Sequence, residues 1–150
     1  MGTINSYKDL IVWQKSVDLT VEIYKLSSQF PKEEIYGLTS QIRRASCSIS
    51  LNIAEGFGRN TTKSYVSFLY IAEGSLREVE AAVTLSIRLG FVKKTDCDII
   101  NALIVEEMKM LSVLIKKLEE KTLGLVDEVK KMLNGLIKSL NNKLKTTSNY

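Results

Sequence analysis

The stretch "SYVSFLYIAEGSLREVEAAVTLSIRLG", residues 64–90, decides the fold class. Tyr65, Phe68, Leu69, Ala72, Leu76, Val79, Val83 and Ile87 recur mostly at spacings of three and four. That is the repeat of one helix face, and it does not fit the two-residue repeat of a half-buried strand. Gly90 ends the seam, where a left-handed residue closes many helices. Gly74 lies inside it at a propensity cost of about 1 kcal/mol relative to alanine, which another backbone packed closely there would explain.

Working outward, the same periodicity marks three more helices. Toward the N-terminus, "QIRRASCSISLNIAEGFGRN", residues 41–60, belongs to a helix running from near Leu38 to Glu55. Leu38, Ile42, Ala45, Ile49 and Ile53 form its core stripe, and Gly56 or Gly58 is expected to supply a left-handed end. Before it, "FPKEEIYGL" is a break: Pro31 stops the first helix, and Glu33 and Glu34 suit the positive end of the next. The first helix carries two stripes, Leu10, Trp13, Val17, Val21 and Tyr24 on one side and Val12, Leu19, Ile23 and Leu26 nearly opposite. One bundle core needs a single stripe, so the second implies a subunit interface.

Beyond Gly90, Thr95 with Asp98 has the form of a capping box, and Ile100, Leu103, Ile104, Leu111, Leu114 and Leu118 follow at helical spacing. Short connections between long successive helices make neighbours antiparallel. The expected fold is therefore all-α: an antiparallel up-down-up-down four-helix bundle over residues 1–122, with a helical C-terminal extension over 123–150. That extension contains a repeat. "EEMKMLSVLIKKLEEK", residues 106–121, aligns with "EVKKMLNGLIKSLNNK", residues 128–143, with nine of sixteen positions identical. The second copy either lengthens the fourth helix or folds back after Gly124 as a fifth. Val129, Met132, Leu133, Leu136, Ile137 and Leu140 require a cover in both cases, and "TTSNY" is expected to fray.

Composition narrows the function. The 150 residues include no histidine, which removes the commonest general base at neutral pH, and no nucleophile elbow, P-loop or HExxH is present. The expectation is a non-enzymatic protein with no cofactor. Cys47 and Cys97 are isolated, so they read as two buried reduced thiols, with no metal site and no disulfide. No uncharged apolar run is long enough to span a membrane and the first residues do not form a secretory signal, so the expected location is cytoplasmic. The net charge of +4 is uneven: residues 126–150 carry +3 and the other 125 only +1.

The polar residues of 41–60 raise the functional question. On a helical wheel Gln41, Arg44, Ser48, Asn52 and Glu55 share one strip beside the core stripe, whereas Arg43 and Cys47 point toward Leu51 and Ala54. Two readings stay open. In one, Arg44 pairs with Glu55, Glu73 or Glu78 within the bundle or across subunits, and the strip is a structural seam or interface. In the other, Arg43, Arg44, Arg59 and Lys63 contact phosphates or an acidic partner.

The segments "YKDLIVWQKS", "FPKEEIYGLTSQIRRA", "SISLNIAEGFGR", "YVSFLYIAEGSLRE" and "KMLSVLIKKL" together resemble the four-helix-bundle proteins encoded in intervening sequences of bacterial 23S ribosomal RNA genes. The resemblance covers roughly residues 7–121. Ser50 and Leu51 depart from it, standing where a proline and a small residue are expected. It implies a homopentameric ring whose subunit contacts cover the second stripe of the first helix. Its genomic setting implies a structured-RNA partner, and Arg43, Arg44, Arg59 and Lys63 of the second reading above, helped by the basic tail, are then the expected nucleic-acid-binding residues. Distantly similar accessory subunits of diversity-generating retroelements imply the alternative of an adaptor for a reverse transcriptase. A purely structural oligomer is the third reading. The extension from Leu123 lies outside the usual family length.

Overall fold

The computed structural model describes the chain from Ile4 to Thr147, and its side chains as far as Ser139. Four helices form it: α1 (Ile11–Ser27), α2 (Leu38–Phe57), α3 (Thr62–Arg88) and α4 (Asp98–Thr147), with short 3-10 turns at Tyr7–Asp9, Lys32–Tyr36 and Lys94–Cys97. No strand occurs among the described residues. Each helix packs on two others, α1 on α2 and α4, and α3 on α2 and α4, which closes a four-sided bundle.

Side-chain bridges show that α1 and α2, and α2 and α3, run antiparallel. Thr20 on α1 donates to the Ser46 carbonyl of α2 at 3.1 Å, and Arg43, earlier on α2, donates to Ser27, later on α1, at 2.8 Å. Between α2 and α3, Ser75 donates to Ser48 at 2.9 Å, while Gly56 lies against Tyr65 and Phe68. The core is one cluster that includes Leu19, Ile23, Ile42, Ile49, Ile53, Leu69, Leu76, Val79 and Leu111, all fully buried. The seams expected on α2 and α3 are thus the ones that the fold buries.

The ends of the helices follow local chemistry. The Glu34 carboxylate accepts the Leu38 N–H at 2.9 Å, so one of the two acids after Pro31 caps α2. Gly90 adopts φ 73°, its N–H meeting the Ile87 carbonyl at 3.0 Å and the Phe91 N–H meeting Ser86 at 2.9 Å, a Schellman closure of α3.

Several expectations need correction. Neither Gly56 nor Gly58 is left-handed: Gly58 closes α2 at φ −78°, and Gly56 is a buried helical residue. A Cβ on Gly56 would lie 2.8 Å from both Tyr65 and Phe68, so the glycine is there for close helix packing. Gly74 is the reverse, since it is exposed and nothing lies within 4 Å of the place its Cβ would take. Ahead of α4, Asp96, and not the Thr95–Asp98 pair, makes the capping bond, accepting the Lys93 N–H at 3.0 Å.

On α1 the two stripes exchange roles. Val12, Leu19, Ile23 and Leu26 face the core, and Val17, Val21 and Tyr24 are exposed. Ser16 completes the inward stripe. It is fully buried, and its hydroxyl donates to the Trp13 carbonyl at 2.6 Å, so a small polar residue occupies a core position without an unmet hydrogen bond.

The repeat lengthens α4. At 50 residues the helix is about 75 Å long. Its first part packs on α1 and α3; from Leu123 to Ser139 every residue is exposed. The register is finer than 22 residues: Leu103, Leu114, Leu125 and Leu136 recur every 11, as do Ile104, Ile115, Val126 and Ile137. Eleven residues make close to three turns, so the apolar face turns by only about 20° per repeat and continues straight out of the bundle. The cover expected for Val129, Met132, Leu133, Leu136 and Ile137 is therefore absent among the described residues, and Leu140 lies outside the described side chains. Of the end expected to fray, residues 148–150 lie outside the described residues, and α4 includes Thr146 and Thr147.

Candidate functional site

The polar residues of α2 divide between the two neighbouring helices, Ser48 and Asn52 of the strip toward α3, and Arg43 and Cys47 outside the strip toward α1. On the α3 side, the Asn52 amide donates to the Ser48 carbonyl at 2.7 Å and to its hydroxyl at 2.9 Å. That hydroxyl also accepts from the Ser75 hydroxyl of α3. Ser48, Asn52 and Ser75 thereby form a satisfied network that joins two helices through small side chains. On the α1 side, the Arg43 guanidinium lies over the Tyr24 ring at 4.7 Å while it donates to Ser27. The Tyr24 hydroxyl is 3.7 Å from the Cys47 sulfur, and this hydrogen bond raises the tyrosine's pKa. Cys47 is half-buried and not in the core, unlike Cys97; both are free thiols.

The four cations do not form one site. Arg44 lies thirteen residues before Phe57, the last residue of α2, about 20 Å along its axis, and Arg59 lies just past that end. Arg59 pairs with Glu55 and lies over the Phe68 ring at 4.5 Å, so Glu55 is engaged by Arg59 and not by Arg44. Arg44 is exposed, and its side-chain contact is Gln41, at 3.3 Å. No carboxylate pairs with Arg44 or with Lys63 among the described residues. Glu73 pairs with Arg77 at 2.9 Å, which removes another of the partners expected for Arg44. Lys63 is exposed at the start of α3, in a groove with Tyr70, Glu119 and Leu123 where α4 leaves the bundle.

Sequence patterning did not single out one polar residue of the core. Glu107 is fully buried and neither carboxylate oxygen has a hydrogen-bond partner among the described residues. Burial, and after it the charge of Glu106, pushes its pKa up to about 8, so the side chain is neutral at pH 7. The signal was in the spacing, because Glu107 fills the gap between Ile104 and Leu111 in the α4 core stripe. Its neighbour Glu106 points outward and pairs with Lys15 of α1 at 3.1 Å. Among the described residues no group of three His, Cys, Asp or Glu side chains could hold a metal ion, and no helix is long and apolar enough to cross a membrane.

The family model described as "23S rRNA-intervening sequence protein" matches residues 8–113, from the turn before α1 into α4. The chain belongs to that family. A crystal structure of a protein of unknown function from the S23 ribosomal protein family of Bacteroides thetaiotaomicron is similar to this 23S rRNA-intervening sequence protein, with 27% identity and a TM-score of 0.66. The similarity covers 71% of this chain and 99% of the other. No curated protein matches. All four helices contribute to the matched range, which contains Arg43, Arg44, Arg59, Lys63 and Glu107, and the free part of α4 lies beyond it.

Proposed function

We propose that this protein works without catalysis, as an oligomeric scaffold that binds structured RNA. The observation that carries the reading is the division among its cations. Arg43 and Arg59 are held over aromatic rings, whereas Arg44 and Lys63 are exposed and free of carboxylates among the described residues. A cation without an internal partner keeps its field for phosphate, and repetition of one or two such charges around a symmetric assembly builds a wide basic surface. The family name, with its reference to 23S rRNA, supports an RNA partner.

The assembly itself is supported by an uncovered face. Val17, Val21 and Tyr24 on α1 and Leu51 on α2 are exposed, a run of apolar side chains that a second subunit would remove from water. A ring of five, which the family likeness implies, uses such a face once per contact. In this reading Gln41 extends toward solvent and orients Arg44, while Ser48 and Asn52 hold the α2–α3 contact and touch no RNA. Glu55 holds Arg59 against Phe68.

Fluorescence anisotropy with a labelled hairpin RNA at low and high salt tests the reading. Contacts of this kind are insensitive to sequence and steeply weakened by salt. Replacing Arg44 and Lys63 together by alanine is expected to weaken low-salt binding by about tenfold or more, and to lower the salt slope by about one for each phosphate no longer neutralised. If the double variant bound as the wild type does, RNA binding through these residues would be abandoned.

A further inference from the structure

We propose that the free part of α4, from Leu123 onward, docks against the same part of a second copy of the chain running in the opposite direction. Its apolar side is wide and open: Leu125, Val129, Met132, Leu133, Leu136 and Ile137 are 52–69% exposed. This side continues, by the 11-residue repeat, the stripe that residues 100–118 bury against α1 and α3. The pattern is therefore one that packs on helices wherever the chain supplies them, and past Leu123 the described residues supply none. A straight amphipathic helix of about seven turns is matched in length and shape by another of its kind.

Charge selects both the partner and its direction. Residues 118–128 carry Glu119, Glu120, Asp127 and Glu128 against Lys121, a net −3. Residues 129–145 carry Lys130, Lys131, Lys138, Lys143 and Lys145 with no acid, a net +5. Parallel pairing in register would set acids beside acids and lysines beside lysines. Antiparallel pairing sets the acidic base of one helix beside the basic tip of the other. An RNA would match only the basic tip and leave the leucines in water, so a second copy accounts for more of the surface. The pairing would join two bundles end to end, and it is independent of any contact through the α1 face.

Light scattering on the full chain provides the test. Leu133→Glu with Leu136→Glu is expected to halve the mass of the assembly while the thermal melt of the bundle stays unchanged. Asn134→Glu, on the polar side, is expected to leave the mass as it is. An unaltered mass in the double variant would overturn the proposal, whether the true occupant were RNA, a membrane surface or another protein. Direction is read by a spin label at Lys121→Cys in a Cys47→Ser background. Antiparallel pairs would hold the two labels about 35 Å apart, and a separation under about 15 Å, as two adjacent helices in parallel would give, would overturn the antiparallel arrangement.

Discussion

Glu107 and Val129 stand 22 residues apart at the same place in the α4 repeat, yet the carboxylic acid is in the core and the valine is in solvent. The two halves of this helix share leucines at the same register, so periodicity cannot be what separates them. What differs is the surroundings. Over residues 98–118, α1 and α3 lie alongside and exclude water even from a polar side chain; past Leu123 no neighbour remains among the described residues. An amphipathic pattern states which face will be buried if something covers it, and says nothing of whether anything does.

The contrast can be broken most sharply with matched leucines. Leu111→Ala in the fully buried half is expected to cost about 3 kcal/mol, through the forfeited transfer energy and the cavity left behind. Leu133→Ala, its counterpart, is expected to stay within about 0.5 kcal/mol in dilute samples. Urea denaturation of both variants decides this, and equal losses would show that the free half is covered within the chain.

Next in size is the replacement of the buried acid by the residue that the repeat places there elsewhere. Glu107→Leu, which copies the leucine one 11-residue step later at Leu118, is expected to stabilise the bundle by about 2 kcal/mol at pH 7, because it replaces an unpartnered buried polar group by an apolar one. The pH dependence gives the sign. A folded-state pKa of about 8 against an ordinary value of 4.5 means that the acid is neutral when folded and ionised when unfolded between those limits. The wild type is then most stable below about pH 4.5 as far as this group is concerned, and it loses that contribution as pH rises toward 8. Glu107→Gln should remove the slope over this window, which thermal melts from about pH 4.5 to 8 would register. A slope that survives in Glu107→Gln belongs to another group.

Glycines sharpen the comparison at the smallest scale. Gly56→Ala would force a Cβ to within 2.8 Å of Tyr65 and Phe68 and is expected to destabilise by about 1–2 kcal/mol. Gly124→Ala, where nothing lies within 4 Å, is expected to strengthen the free helix by up to about 1 kcal/mol. Hydrogen exchange along α4 reads the second effect, as slower exchange confined to residues around Gly124; unchanged protection would count against a helix marginal enough to feel its glycines.

Much of this molecule was legible in the chain. Patterns carried by one helix survive translation into structure, so the α2 and α3 seams, the Gly90 closure of α3 and the Glu34 cap of α2 stand where their residues placed them. Features that need a second element did not carry over as well. Two apolar stripes on α1 looked alike, and only the placement of α2 and α4 turned Val12, Leu19, Ile23 and Leu26 inward and left Val17 and Tyr24 outside. Arg43 and Arg44 are adjacent in sequence, but a rotation of about 100° between them set one on Tyr24 and Ser27 and the other in solvent beside Gln41. Glu107 carried only its place between Ile104 and Leu111 as a mark of burial; a carboxylate ordinarily belongs to the surface, and only the helices packed around it overrule that.

By itself the sequence settled the helical class, the placement of the first three helices and the start of the fourth, and which faces are oily, since these depend on spacing within roughly a dozen residues. It left to the tertiary structure which oily face meets a neighbour, which charge finds a partner, and whether the repeated segment turns back or runs on. Those outcomes depend on contacts between residues far apart in the chain, whose energies no local periodicity contains.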